Sequence, residues 1–179
     1  MRFATRGGGC DQRIVALFTA VFSDAEGEQE GAAIGSLVHG LLEGTDPRDI
    51  EVVTAEDDGV LVGAAIFTRL RYPRDSRVVF LLSPMAVSTA RQGMGVGQRL
   101  LSHALQALRA GGVDVVITYG DPDFYGRVGF APVSEETAPP PLPLSRPEGW
   151  LGLALSAAQL TPIPGPSSCV AALNDPHHW

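Results

Sequence analysis

Apolar residues recur at helical spacing twice near the start of the chain, at Ile14, Leu17, Phe18, Val21 and Phe22 and again at Ile34, Leu37, Val38, Leu41 and Leu42. The spacing predicts a helix capped by Asp11 and ending near Ser23, then a second ending near Gly44, with the acidic residues 24–31 between them. Residues 3–6 read as a short edge strand. Runs 50–55 and 60–71 read as strands joined by the hairpin signal Asp57-Asp58-Gly59, and 69–77 as a polar, exposed connection. Run 78–87 is almost wholly apolar, the pattern of a buried central strand, yet Pro84 lies inside it. A proline cannot donate to a ladder, so pairing must lapse or bulge there.

The clearest helix covers 95–110, with Leu100, Leu101, Ala104, Leu105 and Leu108 on one face and Gly111-Gly112 as its stop. A second buried strand follows over 113–119. Asp121-Pro122 then caps and opens a short helix that Gly129 closes. Residues 138–147 hold five of the 14 prolines and predict an irregular surface loop. Residues 150–155 read as a strand, 161–168 as a proline-rich turn region and 169–173 as a last strand. The order βααβββαβαβ(β), without internal repeat, predicts an α/β fold: a mixed sheet flanked by helices, the longest helix crossing between two central strands.

Composition narrows the possibilities. At 179 residues and 45% apolar content the chain can bury the core of one ordinary domain. Its 13 basic residues are all arginine, against 20 acidic, for a net charge of −7. That balance argues against nucleic-acid and anionic-membrane partners. Without lysine, Schiff-base and P-loop lysine chemistry are excluded, and the arginine bias resembles that of a GC-rich bacterial genome. Cys10 and Cys169 stand near opposite ends with no second cysteine at metal-ligand spacing, so no metal site is expected and a reducing, cytoplasmic location is. Apolar stretches such as 60–67 fall well short of the roughly 18 residues that span a bilayer. Gly7-Gly8-Gly9-Cys10 has the look of a lipoprotein cleavage site, but residues 1–9 contain no apolar run, and no targeting segment is expected.

Candidate chemistry concentrates in Gln92-Gly93-Met94-Gly95-Val96-Gly97-Gln98, between a buried strand and the start of an amphipathic helix. Alternating glycines there let backbone N–H groups converge on an anion at the positive end of the helix dipole. The dipole contributes only about 0.3–1 kcal/mol per charge, so most of the grip must come from the N–H groups themselves. A plain tight turn would also use these glycines. A dinucleotide-binding reading fits poorly: position 100 is leucine, and Asp114 opens the next strand instead of ending it.

With Gln92, Gly95 and Gly97 in the pattern Gln/Arg-x-x-Gly-x-Gly/Ala, the chain resembles the GCN5-related N-acetyltransferases (GNAT). The segments Leu82-Ser83-Pro84-Met85-Ala86-Val87 and Gly120-Asp121-Pro122-Asp123-Phe124-Tyr125-Gly126-Arg127-Val128-Gly129-Phe130 resemble the YhbS-like subgroup of predicted acetyltransferases. The resemblance implies a GNAT domain over 2–156 and a C-terminal extension over 157–179, with strands 78–87 and 113–119 splaying to admit acetyl-CoA. It also implies that Met85, Ala86 and Val87 face the pantetheine arm, and that Gln92, Gly93, Met94, Gly95, Val96, Gly97 and Gln98 hold the pyrophosphate. Arg91 and Arg99 could assist or be plain surface charge.

Such an enzyme transfers an acetyl group to the amine of a small molecule by direct attack in a ternary complex. Tyr125 is then the candidate catalytic residue, donating a proton to the departing thiolate; packing against the cofactor is its other reading. Relatives that use a fourth-strand glutamate as base find no counterpart here, where Ser83 is the strand's polar side chain. Glu30, Glu51 and Glu56 are substitutes. That lack motivates an alternative, an inactive acyl-CoA-binding sensor of the same fold; another acyl group, or a hydroxyl or protein N-terminal acceptor, is a third. Tyr119 and Phe124 are candidate walls of the acceptor pocket, and Trp150 a core residue or a pocket wall. His39 and His103 read as surface, and His177-His178 as a weak metal pair. Many members dimerise through C-terminal strands, which would give 169–173 that role in a homodimer.

Overall fold

A computed structural model describes residues 1–6, 9 and 11–179; Gly7, Gly8 and Cys10, and the expectations attached to them, lie outside the described residues. The elements are β1 (Arg2–Arg6), α1 (Gln12–Glu26), α2 (Glu28–Gly44), β2 (Ile50–Asp57), β3 (Val60–Leu70), β4 (Val79–Val87), α3 (Val96–Ala110), β5 (Val115–Tyr119), α4 (Pro122–Tyr125), β6 (Ala131–Pro132) and β7 (Trp150–Ala154). Strand order is β1-β2-β3-β4-β5-β7-β6. The β4–β5 pair is parallel, with α3 as its crossover, whereas β1–β2, β5–β7 and β6–β7 are antiparallel. The chain forms two compact units, Met1–Phe67 with Pro84–Ala104, and Thr68–Ser83 with Leu105–Trp179.

In the first unit, Asp11 caps α1 by accepting from Arg13 N at 2.9 Å, and Ile14, Phe18 and Val21 form the buried stripe. Each such side chain taken fully from water is worth roughly 1.5–3 kcal/mol. The second helix starts earlier than its apolar repeat suggests. Only Gly27 breaks the chain: at φ 100° it ends α1, and its N–H donates to Ser23 O at 3.0 Å. Gly31 and Gly35 are contact surfaces instead of breakers, since a Cβ at Gly31 would fall 1.9 Å from Ser23 Oγ and one at Gly35 2.3 Å from Thr19 Oγ1.

The second unit corrects several expectations. Residues 69–77 are no free connection: Tyr72 is buried and donates its hydroxyl to Pro139 O at 2.9 Å. Arg77 pairs with Asp75 at 2.7 Å and donates to the Thr161 and Pro162 carbonyls. Trp150 is fully buried, as expected of a core residue, and its Nε1 donates to Ala138 O at 2.8 Å, which anchors the proline-rich loop. The two-residue strand β6 escapes the pattern reading; its Pro132 sits at the sheet edge, where a missing donor is tolerated.

The last strand expected over 169–173 does not form. One bridge, Arg71 to Ser168, precedes a 3-10 turn at Ala171–Leu173. Pro162, Pro164 and Pro166 withhold donors just before it, and Trp179 Nε1 donates to Leu173 O at 2.8 Å, curling the segment.

Along β4, pairing with β5 runs from Val79↔Val115 to Leu82↔Thr118 and stops, although β4 continues to Val87. Val115 N donates to Val78 O at 3.2 Å on the β5 side, whereas Ser88 N donates to Val62 O at 2.9 Å on the β3 side. Both β4-side positions are even-numbered, and a regular strand cannot face even positions both ways. An extra residue therefore sits between them, in the stretch that contains Pro84, and bulges the strand. Odd positions Met85 and Val87 accordingly turn their backbone groups away from β3.

Candidate active site

The glycine segment leaves β4 through a 3-10 turn at Thr89–Arg91. Thr89 Oγ1 donates to Asp24 Oδ2 at 2.6 Å, tying the turn to the end of α1. Gln92 folds back, and its Nε2 donates to Val87 O at 3.0 Å. That bond fixes the distance between the end of β4 and the loop. Gly93 and Gly95 both adopt φ 73°, a left-handed conformation that side-chain-bearing residues resist by roughly 1–2 kcal/mol.

A Cβ on Gly93 or Gly95 would meet nothing within 4 Å among the described residues, so both open onto free space there. Gln92, Gly93, Met94 and Gly95 are exposed, Val96 and Gly97 buried, and Gln98 half-buried. Arg99 N donates to Gly95 O at 3.2 Å and so begins the helical ladder. The N–H groups of the preceding first turn have no place in that ladder. No acidic residue stands in the first turn of α3, whereas α2 opens with Glu28 and Glu30. Open glycines, unladdered N–H groups and a first turn without a carboxylate suit an anion. Arg91 pairs with Asp57 at 3.0 Å, and Arg99 is exposed one residue past Gln98.

Tyr125 ends the short helix α4, which Asp121 caps by accepting from Asp123 N at 2.9 Å and Pro122 opens. Its ring meets Phe124 edge-on at 5.0 Å and Phe130 edge-on at 5.7 Å. On another side the ring lies against the Gly120 main chain, where a Cβ would come within 2.8 Å of Cε2. Burial raises the phenol pKa above the ordinary tyrosine value; the Thr118 hydroxyl beside it partly offsets that rise and the Asp121 carboxylate adds to it. Thr118 is itself fully buried and donates to Leu82 O at 3.0 Å, at the last paired position of β4. Pattern reading singles out neither Thr118 nor Gly120. A threonine in a strand and a glycine after one carry no chemical signal on their own.

The other candidates lie in varied surroundings. Glu56 is ion-paired to Arg2 and to Arg13, and the Arg2 guanidinium beside it holds its pKa below the ordinary range, so it is a weak base. Glu51 is half-buried, and burial raises its proton affinity; Glu30 lies in the first turn of α2. His103 stacks on Phe3 at 5.3 Å. Tyr119 accepts Arg146 N at 2.7 Å on its hydroxyl, stacks on Trp179 at 6.5 Å and meets Trp150 edge-on. Cys169 is half-buried, and burial pushes its thiol up, away from the reactive thiolate. Among the described residues no three His, Cys, Asp or Glu side chains are grouped to hold a metal. No described helix is long and apolar enough to cross a membrane.

Comparison with known proteins bears on this arrangement. Residues 48–132 match the family model of the acetyltransferase (GNAT) domain. The chain is 35% identical over 130 residues to YjhQ of Escherichia coli K12, an uncharacterized N-acetyltransferase, covering 70% of this chain and 72% of that one. It is 30% identical over 101 residues to YhbS of the same organism, another uncharacterized N-acetyltransferase, covering 56% and 60%. In fold it resembles the crystal structure of Escherichia coli YhbS in complex with CoA, with TM-score 0.74, 21% identity and coverage of 98% and 93%. A GNAT acetyltransferase of Brucella melitensis in complex with acetyl-CoA follows at TM-score 0.68, 21% identity and coverage of 97% and 99%.

Proposed function

The chain belongs to the GNAT family of N-acetyltransferases, and we propose that it transfers the acetyl group of acetyl-CoA to the amine of a small molecule by direct attack in a ternary complex. The observation that carries the reading is the loop from Gln92 to Gln98, where left-handed Gly93 and Gly95 face open space ahead of the α3 N-terminus. Bound there, acetyl-CoA supplies an activated acyl group as a thioester. Backbone N–H groups of Gly93 through Gln98 hold its pyrophosphate. Met85 and Val87, turned from β3 by the bulge, offer backbone groups to the pantetheine amides, with Ala86 between them.

Chemistry then asks three things of the protein. A neutral amine must meet the thioester carbon, the charge developing on the carbonyl oxygen needs a donor, and the sulfur must leave with a proton. The backbone N–H near Val87 serves as that donor. Tyr125 gives its hydroxyl proton to the sulfur as the C–S bond breaks and the C–N bond forms, and the proton shed by the new amide nitrogen returns to the phenolate through solvent. From an ordinary phenol to an ordinary thiolate this transfer runs uphill by about 2 kcal/mol, and burial of Tyr125 raises its pKa further. Placement of the hydroxyl on the sulfur must offset that difference.

The YhbS structure in complex with CoA and the Brucella structure in complex with acetyl-CoA support the cofactor assignment. A second reading, an acyl-CoA-binding sensor, draws on β4, which carries Ser83 and no carboxylate. Thiol release from acetyl-CoA across a panel of small amines, beside a binding titration, tests both. Turnover with at least one amine is expected. Tight binding without turnover would select the sensor, and absence of binding would remove both readings.

A further inference from the structure

Tyr125 is held by contacts that its own helix does not supply. A methyl group added to Gly120 would stand 2.8 Å from Cε2 of the tyrosine ring, 3.5 Å from Cδ2 and 3.8 Å from Cζ, and among the described residues no other side chain lies closer to it. Backbone conformation does not call for glycine here, because Gly120 is absent from the left-handed glycines. What the position requires is the missing side chain. Gly120 is in turn fixed from behind: its N–H donates to Gly149 O at 2.9 Å, and a Cβ on Gly149 would press to 3.0 Å from Gly120 O. Gly149 N donates to Arg146 O at 2.9 Å, and Arg146 N to the Tyr119 hydroxyl at 2.7 Å, so the support is tied to the end of β5.

We infer that Gly120 is a positioning residue, whose bare main chain, backed by Gly149, forms the seat that aims the Tyr125 hydroxyl. The inference rests on the reading of Tyr125 as proton donor to the thiolate. Phe124 and Phe130 also pack on the ring in T-shaped contacts, with centroids at 5.0 Å and 5.7 Å, and so restrict the tilting by which a side chain at Gly120 could be absorbed. Reaching the 3.4 Å of an ordinary contact would require a shift of at least 0.6 Å at Cε2. Cε2 neighbours the carbon that bears the hydroxyl, so the displacement passes directly to the donor. Misplacement by about 1 Å of a catalytic group can cost roughly 100-fold in rate.

A double-mutant cycle tests this with thiol release under saturating acetyl-CoA and amine. Gly120→Ala should lower kcat by about tenfold or more, with the acetyl-CoA KM changed less than about twofold. In a Tyr125→Phe background, where no proton is left to aim, the same Gly120→Ala should cost less than about twofold. Losses that multiply, or a Gly120→Ala enzyme as fast as the parent, would overturn the positioning role while leaving the tyrosine's own role standing. A Tyr125→Phe enzyme as fast as the parent would instead remove the tyrosine reading, and the seat with it. Should Gly120→Ala fail to fold, Gly149→Ala presses on the same backbone from behind and is run through the same cycle with the same criteria.

Discussion

Two glycine-bearing segments define the candidate chemistry, and they use glycine for opposite reasons. In the loop before α3, Gly93 and Gly95 sit at φ 73° with nothing among the described residues within 4 Å of an added Cβ. Residue type there answers to backbone conformation and to the space a ligand needs. At Gly120 and Gly149 the backbone is ordinary, but a Cβ would meet other atoms at 2.8 Å and 3.0 Å. There glycine answers to close packing. The first use leaves donors open to a ligand, and the second brings protein groups together and fixes one side chain. A substitution in the first segment should therefore strike binding, and one in the second should strike turnover.

The largest effect expected of this contrast comes from Gly95→Arg. A long side chain leaving that point enters the open side of the loop, where the diphosphate is proposed to lie. Acetyl-CoA affinity should fall at least about 1,000-fold, or roughly 4 kcal/mol, while thermal stability drops by little more than the roughly 1–2 kcal/mol of left-handed strain. Calorimetric titration beside a melting curve reads both. Unchanged affinity would show that the ligand does not use this loop. Tyr125→Phe should act on the other side of the contrast: kcat down by about 100-fold, the scale of general acid catalysis, with acetyl-CoA affinity within about twofold. Because burial holds the phenol protonated beyond the ordinary range, the parent enzyme should show no loss of kcat from this group up to about pH 10. A basic limb near neutrality that disappears in Tyr125→Phe would contradict that protonation state.

How far each segment could be read in advance follows from the same distinction. The Gln92–Gln98 loop was legible because conformational demands are local: glycines between an apolar run and an amphipathic repeat announce a turn into a helix whatever the rest of the chain does. The same locality made α3 and the ends of β4 readable. Pro84 announced a lapse in pairing for the same reason. Gly120 was legible only as the first residue of a family-like segment, without a role, since its contacts with Tyr125 and Gly149 are set by tertiary packing. Gly31 misled in the same way. It reads as part of the acidic connection 24–31 and is instead, with Gly35, the surface on which α2 meets Ser23 and Thr19. The strand expected over 169–173 rests on apolar residues alone, whereas the segment closes into a 3-10 turn at Ala171–Leu173 on which Trp179 Nε1 donates to Leu173 O, a tertiary contact with no local signal.

A smaller effect sharpens the contrast within the loop itself. Gln92 contributes a side-chain bond to Val87 O at 3.0 Å, joining the stretch proposed to meet the pantetheine arm to the stretch proposed to hold the diphosphate. Gln92→Leu keeps the bulk and removes the bond, which at about 0.5–1.5 kcal/mol corresponds to roughly a 2- to 10-fold loss of acetyl-CoA affinity. If the loop's shape were fixed by Gly93 and Gly95 alone, affinity would not move.

The smallest effect near neutral pH lies outside both segments and tests whether the packing in the second unit behaves as described. Burial raises the pKa of Tyr72 as well as that of Tyr125. The unfolded chain releases phenolic protons as pH passes about 10, while the folded protein keeps them. Above that pH the unfolded state binds fewer protons than the native state, so stability is complete below about pH 10 and falls as pH rises further, by at most about 1.4 kcal/mol per pH unit for each tyrosine. Tyr72→Phe removes one of the two contributions and should flatten the decline above pH 10. At neutral pH it should cost only about 1 kcal/mol, because Pro139 O retains the Ser167 hydroxyl as a donor at 2.7 Å. Denaturant unfolding at pH 7 and pH 11 measures both quantities. An equally steep alkaline decline in parent and variant would mean that the Tyr72 hydroxyl is open to water, and with it the contact that ties the start of the proline-rich loop to this unit.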